Sequence, residues 1–179
     1  MNSHLMPMKG YHGRFEYTGY SFMAPQGDGW YMMRDNPAWQ MFAKDLKSKT
    51  HTFIVGIIPV RMAPTWKDNN GFLVAFKTAK ESDLDPGQTK KFSDYALENK
   101  FGATCVRYHF VMEGPVRAFP GAPVMTLDAY GYGCLHPQDK TAYAEIQYSE
   151  RYKPGESDPS LKALGDQFVN GFMFRDLPK

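Results

Sequence analysis

Ala103-Thr-Cys-Val-Arg-Tyr-His-Phe-Val-Met112 and Val124-Met-Thr-Leu-Asp-Ala-Tyr-Gly-Tyr-Gly-Cys134 are the two stretches on which the fold turns. In the first, Val106, Tyr108, Phe110 and Met112 alternate with Cys105, Arg107 and His109. A period of two puts the two sets on opposite faces of an extended strand. The second stretch has the same β-rich character and follows a Pro/Gly loop over 114–123. Antiparallel pairing of the two sets Cys105, near the start of one strand, beside Cys134, at the end of the other. That geometry allows the Cα atoms to approach to about 5.5 Å, as a disulfide requires. A bond there closes a loop of about 30 residues, worth roughly 3–4 kcal/mol in the chain-entropy account. The alternative is a pair of buried, reduced thiols.

Working outward, 141–149 alternates Ala142, Ala144, Ile146 and Tyr148 with Tyr143, Glu145 and Gln147, and reads as a third strand. Residues 51–62 are rich in β-branched side chains, with Pro59 marking a bulge or an edge because it has no N–H for a ladder. Tyr17 to Pro25 and Trp30 to Arg34 read as strands around the turn Gln26-Gly-Asp-Gly29. The spacing predicts a helix over 37–47: Asp35 or Asn36 caps it, Pro37 opens it, and Trp39, Phe42, Ala43 and Leu46 form one stripe. A short helix with the stripe Phe72, Ala75, Phe76 and Ala79 follows Asn69 or Asn70. Residues 88–98 fit either a helix or a strand. A last helix starts at Ser160 with Leu161, Leu164, Phe168 and Phe172 on its stripe. Strands that mostly neighbour one another in sequence, with helices interspersed, predict an α+β fold: an antiparallel β-sheet sandwiched between helices in a single domain over 15–179. Residues 1–14 are expected to be a disordered leader, either a tag or a linker.

The chain has 179 residues and a formal net charge of +2, with 3 Trp, 11 Tyr and 13 Phe. So many aromatic rings can bury enough area to offset the ordering entropy, which excludes a disordered chain. The longest apolar run, Phe53 to Val60, is far short of the roughly 20 residues that a membrane-spanning helix needs. Basic residues are dispersed among 19 acids rather than gathered on a stripe, which argues against nucleic acid. The small run Lys44, Lys47, Lys49 and His51 suits the end of the predicted helix.

Several constellations carry the atoms for chemistry. Cys105, His109, Cys134 and His136 have zinc-binding side chains. On a strand, however, residues four apart are separated by about 13 Å, too far to share one ion. Cys134 with His136 is the candidate nucleophile and base of a cysteine-dependent hydrolase or transferase. His4, Met6, Met8 and His12 form a soft-metal set suited to copper. No Gly-x-Ser-x-Gly elbow, His-Glu-x-x-His helix or phosphate loop is present. No cofactor is expected. Arg107, His109, Asp128, Tyr130, Tyr132, Tyr143, Glu145 and Gln147 are expected on one sheet face, an aromatic and charged surface for a peptide, glycan or protein. The plainer alternative is an ordinary solvated or helix-covered face.

Tyr17 to Trp30, with Gly19, Phe22, Pro25 and Trp30 in that order, resembles the opening of PsbP-like and Mog1-like domains. Phe168-Val-Asn-Gly-Phe-Met-Phe174 resembles their closing segment. Gly102 to Tyr108, Gly133 to Pro137 and Tyr148 to Arg151 resemble bacterial lipoproteins and exported proteins of similar length. The resemblance implies a sheet between helices and a non-enzymatic role in binding or assembling other proteins, and it carries over no site. Together with a disulfide, which persists in oxidising compartments, it places the chain in the periplasm or at the cell surface of a bacterium. The expected partner is a protein of the cell envelope, and any lipid anchor would lie outside the chain.

Overall fold

The computed structural model describes all residues except 1–4, 37, 62–64, 83–86, 116–120, 122 and 179. Eight strands form one antiparallel sheet: β1 (Met6–Pro7), β4 (Trp30–Asn36), β5 (Trp39–Lys44), β6 (Thr52–Arg61), β10 (Asp139–Tyr152), β9 (Val124–His136), β8 (Ala103–Pro115) and β7 (Thr89–Lys100), in that spatial order. A smaller sheet has the order β11 (Phe172–Phe174), β3 (Tyr20–Met23) and β2 (Arg14–Tyr17). The helices are α1 (Asn69–Ser82) and α2 (Pro159–Asn170).

Alternation along β8 sends apolar side chains to both faces, so the large sheet carries two cores. On one face, Cys105, Cys134, Ala144, Ile146, Tyr148, Val55, Ile57 and Phe42 pack against Phe22 and Phe172 of the small sheet and Leu161, Phe168 and Val169 of α2. On the other, Val106, Tyr108, Phe110, Met112, Ala129 and Leu135 pack against Phe72 and Phe76 of α1. The expected layering is therefore corrected. Among the described residues each face carries one helix, and the face under α2 is shared with a second sheet, so helices make no full layer on both sides.

Two local expectations also change, and one left open is settled. Residues 39–44 are strand β5, paired with both β4 and β6, and not a helix. Asn36 Oδ1 accepts the N–H groups of Ala38 and Trp39 at 2.9 and 3.2 Å, which makes a turn where a helix cap was predicted. The basic run Lys44, Lys47, Lys49 and His51 consequently lies at the β5–β6 connection. The strand expected over Tyr17 to Pro25 is instead the turn and second arm of a hairpin, Arg14 to Met23, which turns at Thr18 and Gly19, where Gly19 has φ +85°. Of residues 88–98, left open between helix and strand, all from Thr89 on belong to strand β7. Its turn to β8 places Phe101 and Gly102 at φ 55° and 70°, the twist that a two-residue hairpin needs. Within the N-terminal segment, Met6 and Pro7 pair with Met32 and Tyr31, and the Met8 N–H donates to Trp30 O at 3.0 Å. Among the described residues no helix is long and apolar enough to cross a membrane.

Candidate binding face beside helix α2

The face that carries the disulfide runs on past α2 towards β7. Register defines its rows. Asp94, His109, Tyr130 and Tyr148 lie directly opposite one another across β7, β8, β9 and β10. Ala96, Arg107, Tyr132 and Ile146 form the next row, and Glu98, Cys105, Cys134 and Ala144 the one after. At the β10 end these rows are core. At the β7 to β9 end the first two rows form a half-exposed floor flanked by α2, while Cys105 and Cys134 of the third are buried.

Stacking and ion pairs hold the floor together. The rings of His109 and Tyr130 stack with centroids 3.8 Å apart, and Tyr130 stacks on Tyr148 at 5.1 Å. Phe92, exposed on the edge strand, meets His109 at 4.8 Å. His109 Nε2 lies 2.9 Å from Asp128 Oδ1. Arg107 bridges Asp94 at 2.8 Å and Glu98 at 2.7 Å. From α2, Lys162 lies over the Tyr130 ring at 5.6 Å and pairs with Asp166 at 2.7 Å. Tyr148 Oη donates to Asp166 Oδ1 at 2.8 Å. Lys100 lies over the Tyr132 ring at 4.8 Å and donates to Asn170 Oδ1 at the end of α2.

Two adjoining clefts open on this floor. One, of about 220 Å³, is lined by Arg107, His109, Tyr130, Tyr132, Lys162 and Asp166 among others. The second, of about 210 Å³, shares Tyr130, Tyr148 and Lys162 and adds Asp128, Glu150 and Asp158. Asp158 caps α2, its side chain accepting the Ser160 N–H. Its own N–H donates to Glu150 Oε1 at 2.7 Å, which moors the helix to the sheet. Burial holds the phenols in their protonated form. Tyr130 is pushed up to about 12 by burial, with Asp128 adding to it, and Tyr132 is raised by burial and then by Glu98. The Arg107 guanidinium is held charged by its hydrogen bond to Asp94. The site therefore offers fixed phenol donors, ring faces and paired charges: a surface for recognition.

The eight-residue face predicted from sequence is divided. Arg107, His109, Asp128, Tyr130 and Tyr132 share this floor. Tyr143, Glu145 and Gln147 do not, because Ala144, and not Tyr143, stands opposite Cys134. Glu145 is buried under α1, where it accepts Lys80 Nζ at 2.5 Å and Tyr108 Oη at 2.6 Å. Gln147 Oε1 accepts the same Tyr108 hydroxyl at 2.9 Å. The one-residue slip flips each of these side chains through the sheet. Sequence reasoning missed Phe92, Asp94 and Glu98, which depend on β7 being a strand. It also missed Lys162 and Asp166, the polar positions of α2.

The two sulfurs are joined, with Cys105 and Cys134 directly opposed and their Cα atoms 4.0 Å apart. That removes Cys134 as a nucleophile and both cysteines as zinc ligands. His136 is no base either. Its Nδ1 accepts the Gln138 N–H at 3.1 Å, so Nε2 carries the hydrogen, directed at Gly19 O and Arg175 O at 3.2 and 3.1 Å. Of the soft-metal set, His4 lies outside the described residues. Met8 packs against the core, while Met6 and His12 are exposed.

No protein-family model matches the chain, and no curated protein does. Among solved structures, the chain is similar to cyanobacterial PsbP (CyanoP) from Synechocystis sp. PCC 6803, at 15% identity and a TM-score of 0.45 over 91% of this chain and 92% of that one. It is also similar to a STAR-related lipid transfer protein fragment from Xanthomonas axonopodis, at 12% identity and a TM-score of 0.31 over 80% and 93%. The first belongs to the family that both ends of the sequence resemble. Neither likeness carries a ligand or a site over to this chain.

Proposed function

We propose that the chain is a non-enzymatic binding domain, exported to the bacterial envelope, that engages a protein partner through the floor beside α2. The observation that carries this reading is a core face that continues into solvent as ordered Tyr and His rings with paired charges. Tyrosine is enriched at protein contacts because it offers a large rigid ring with a hydroxyl at its tip. Arg107 supplies a charged group and His109 a ring, both already held in position, which lowers the ordering cost of binding. The disulfide supports export, since such bonds persist in oxidising compartments.

A photo-crosslinking residue at position 132, compared with one at exposed Val74 on α1, tests the surface in the native host. A discrete adduct from 132, absent from 74 and weakened by Arg107→Gln, is the expected outcome. Equal adducts from both positions, or none from 132, would overturn the assignment. Mass measurement of the protein from its host without reductant tests the compartment: two alkylatable thiols would sink it.

A further inference from the structure

Away from that floor, the space between the two sheets is unevenly filled. Over most of its length it holds Phe22, Phe42, Phe53, Tyr148 and Phe168. At the end formed by the last residues of β6 and the first of β10, the large sheet lines this space with Val60, Arg61, Tyr143 and His136 and with the small side chains of Pro59, Ala142 and Ala144. Side chains this small cannot reach Phe174 and Leu177 on the other wall, and a cleft of about 300 Å³ remains. It shares no lining residue with the clefts beside α2.

The walls are set in place before any ligand arrives. Across the cleft, the Thr18–Gly19 turn and the C-terminal strand are pinned together by His136, whose Nε2 lies within 3.2 Å of Gly19 O and 3.1 Å of Arg175 O. The Leu177 N–H donates to Gln138 Oε1 at 2.8 Å, which fixes the leucine at the wall. A Cβ at Gly19 would meet Leu177 Cδ2 at 3.0 Å, so the turn is as close to the tail as it can be. On the sheet side, β5 pairs with β6 only as far as Ile57, leaving the stretch from Ile58 to Arg61 as an edge among the described residues. Pro59 falls on this edge, where its missing N–H leaves no ladder bond unmade.

One charge stands at the rim. Arg61 is 73% exposed, and its contact with Asp139 is a single Nη1 bond at 3.5 Å, the outer limit of a hydrogen bond. Asp139 is engaged instead by Thr141, through its N–H at 2.9 Å and its hydroxyl at 2.6 Å. The guanidinium fork thus has geometry suited to a second, bidentate carboxylate.

We propose that this cleft binds a small amphipathic carboxylate. Its apolar body lies between Ala142 and Ala144 on one side and Phe174 and Leu177 on the other, and its carboxylate pairs with Arg61. Preformed apolar pockets with one well-placed polar group are the usual form of small-molecule sites. The Asp139 carboxylate beside Arg61 sets the selectivity: a neutral head group gains little there, and a ligand must replace the weak pair.

Octanoate titrated into the ¹⁵N-labelled full chain is the test, with octanol and octyltrimethylammonium as neutral and cationic probes. Saturable shifts confined to residues around 18–20, 142–144 and 174–177 are expected for octanoate. Arg61→Gln, a substitution on an exposed side chain, should weaken octanoate by at least about tenfold while leaving octanol unchanged. Ala142→Leu, which fills the cleft, should abolish both. The proposal is overturned by non-saturable or scattered shifts, by octyltrimethylammonium or octanol binding as well as octanoate, or by an Arg61→Gln variant that binds as wild type does. A crosslinking failure at position 132 would leave this result standing, since the two sites are separate.

Discussion

Tyr95 illustrates what single side chains decide in this protein. It faces α1, close to Glu145 and Glu81, and among the described residues its buried hydroxyl has no hydrogen-bond partner. An unmet buried hydroxyl costs about 1–3 kcal/mol, so Tyr95→Phe should leave stability unchanged or raise it by about 1 kcal/mol, read as the urea midpoint. The same residue governs alkaline behaviour. Burial, then Glu81 and Glu145, push Tyr95 up to about 12, and burial with Asp128 does the same to Tyr130. The unfolded phenol titrates near 10, so the native state holds the extra protons between those values. That contribution is complete below about pH 10 and is lost as pH rises through about 12. Urea midpoints should fall over this window, and less steeply in Tyr95→Phe; equal slopes would refute the link. His136 offers a second test. Its sequence position, two residues from Cys134, suggests a dyad, whereas both ring nitrogens serve the fold. His136→Ala removes the partner of the Gln138 N–H and of the Arg175 carbonyl, while Gly19 O keeps the Arg175 N–H; it should cost about 1–3 kcal/mol and speed amide exchange at Arg175 and Leu177.

At the scale of elements, packing overrides propensity in both directions. The stripe Trp39, Phe42, Ala43 and Leu46 has helical spacing, yet β5 forms because Gln40 and Phe42 point into the core beneath the small sheet. Gln40 is fully buried; its Nε2 donates to Asn36 O and its Oε1 accepts from Tyr20 Oη at 2.8 Å. A glutamine at a core position hid the alternation. Glycines set the distance of each helix from the sheet. A Cβ at Gly133 would lie 2.1 Å from the Phe76 ring of α1, and one at Gly165 of α2 would lie 2.3 Å from the Tyr148 ring. In α2, alanine would gain about 1 kcal/mol of helix propensity, but overpacking a ring costs typically 1–3 kcal/mol. Gly165→Ala and Gly133→Ala should therefore both lower the urea midpoint. Exchange protection should drop in α2 for the first and in α1 for the second; a stabilised Gly165→Ala would show that the helix can lift freely.

For the molecule as a whole, the disulfide ties β8 to β9 at the row where the small sheet and α2 close over the large one. The bonded residues are 29 apart in sequence. Replacing both with alanine should cost about 3–4 kcal/mol by constraining the unfolded chain less, measured as the difference in unfolding free energy between wild type and variant. Reductant should reproduce the loss in wild type and leave the variant unaffected.

The strands β6, β8, β9 and β10 and both helices were legible from residue order, because hydrophobic period is a local property that burial on one or two faces imposes directly. So was the pairing of the two sulfurs, since two opposed strands with a cysteine at matching ends admit little else. Register was not local. Whether Tyr143 or Ala144 stands opposite Cys134 depends on the irregularity between Asp139 and Tyr143, and that one step decides which side chains join the floor beside α2. The interlayer cleft was equally out of reach, for it exists only where Pro59, Ala142 and Ala144 meet Phe174 and Leu177 across two sheets. Space left unfilled belongs to no residue, and only the tertiary arrangement creates it.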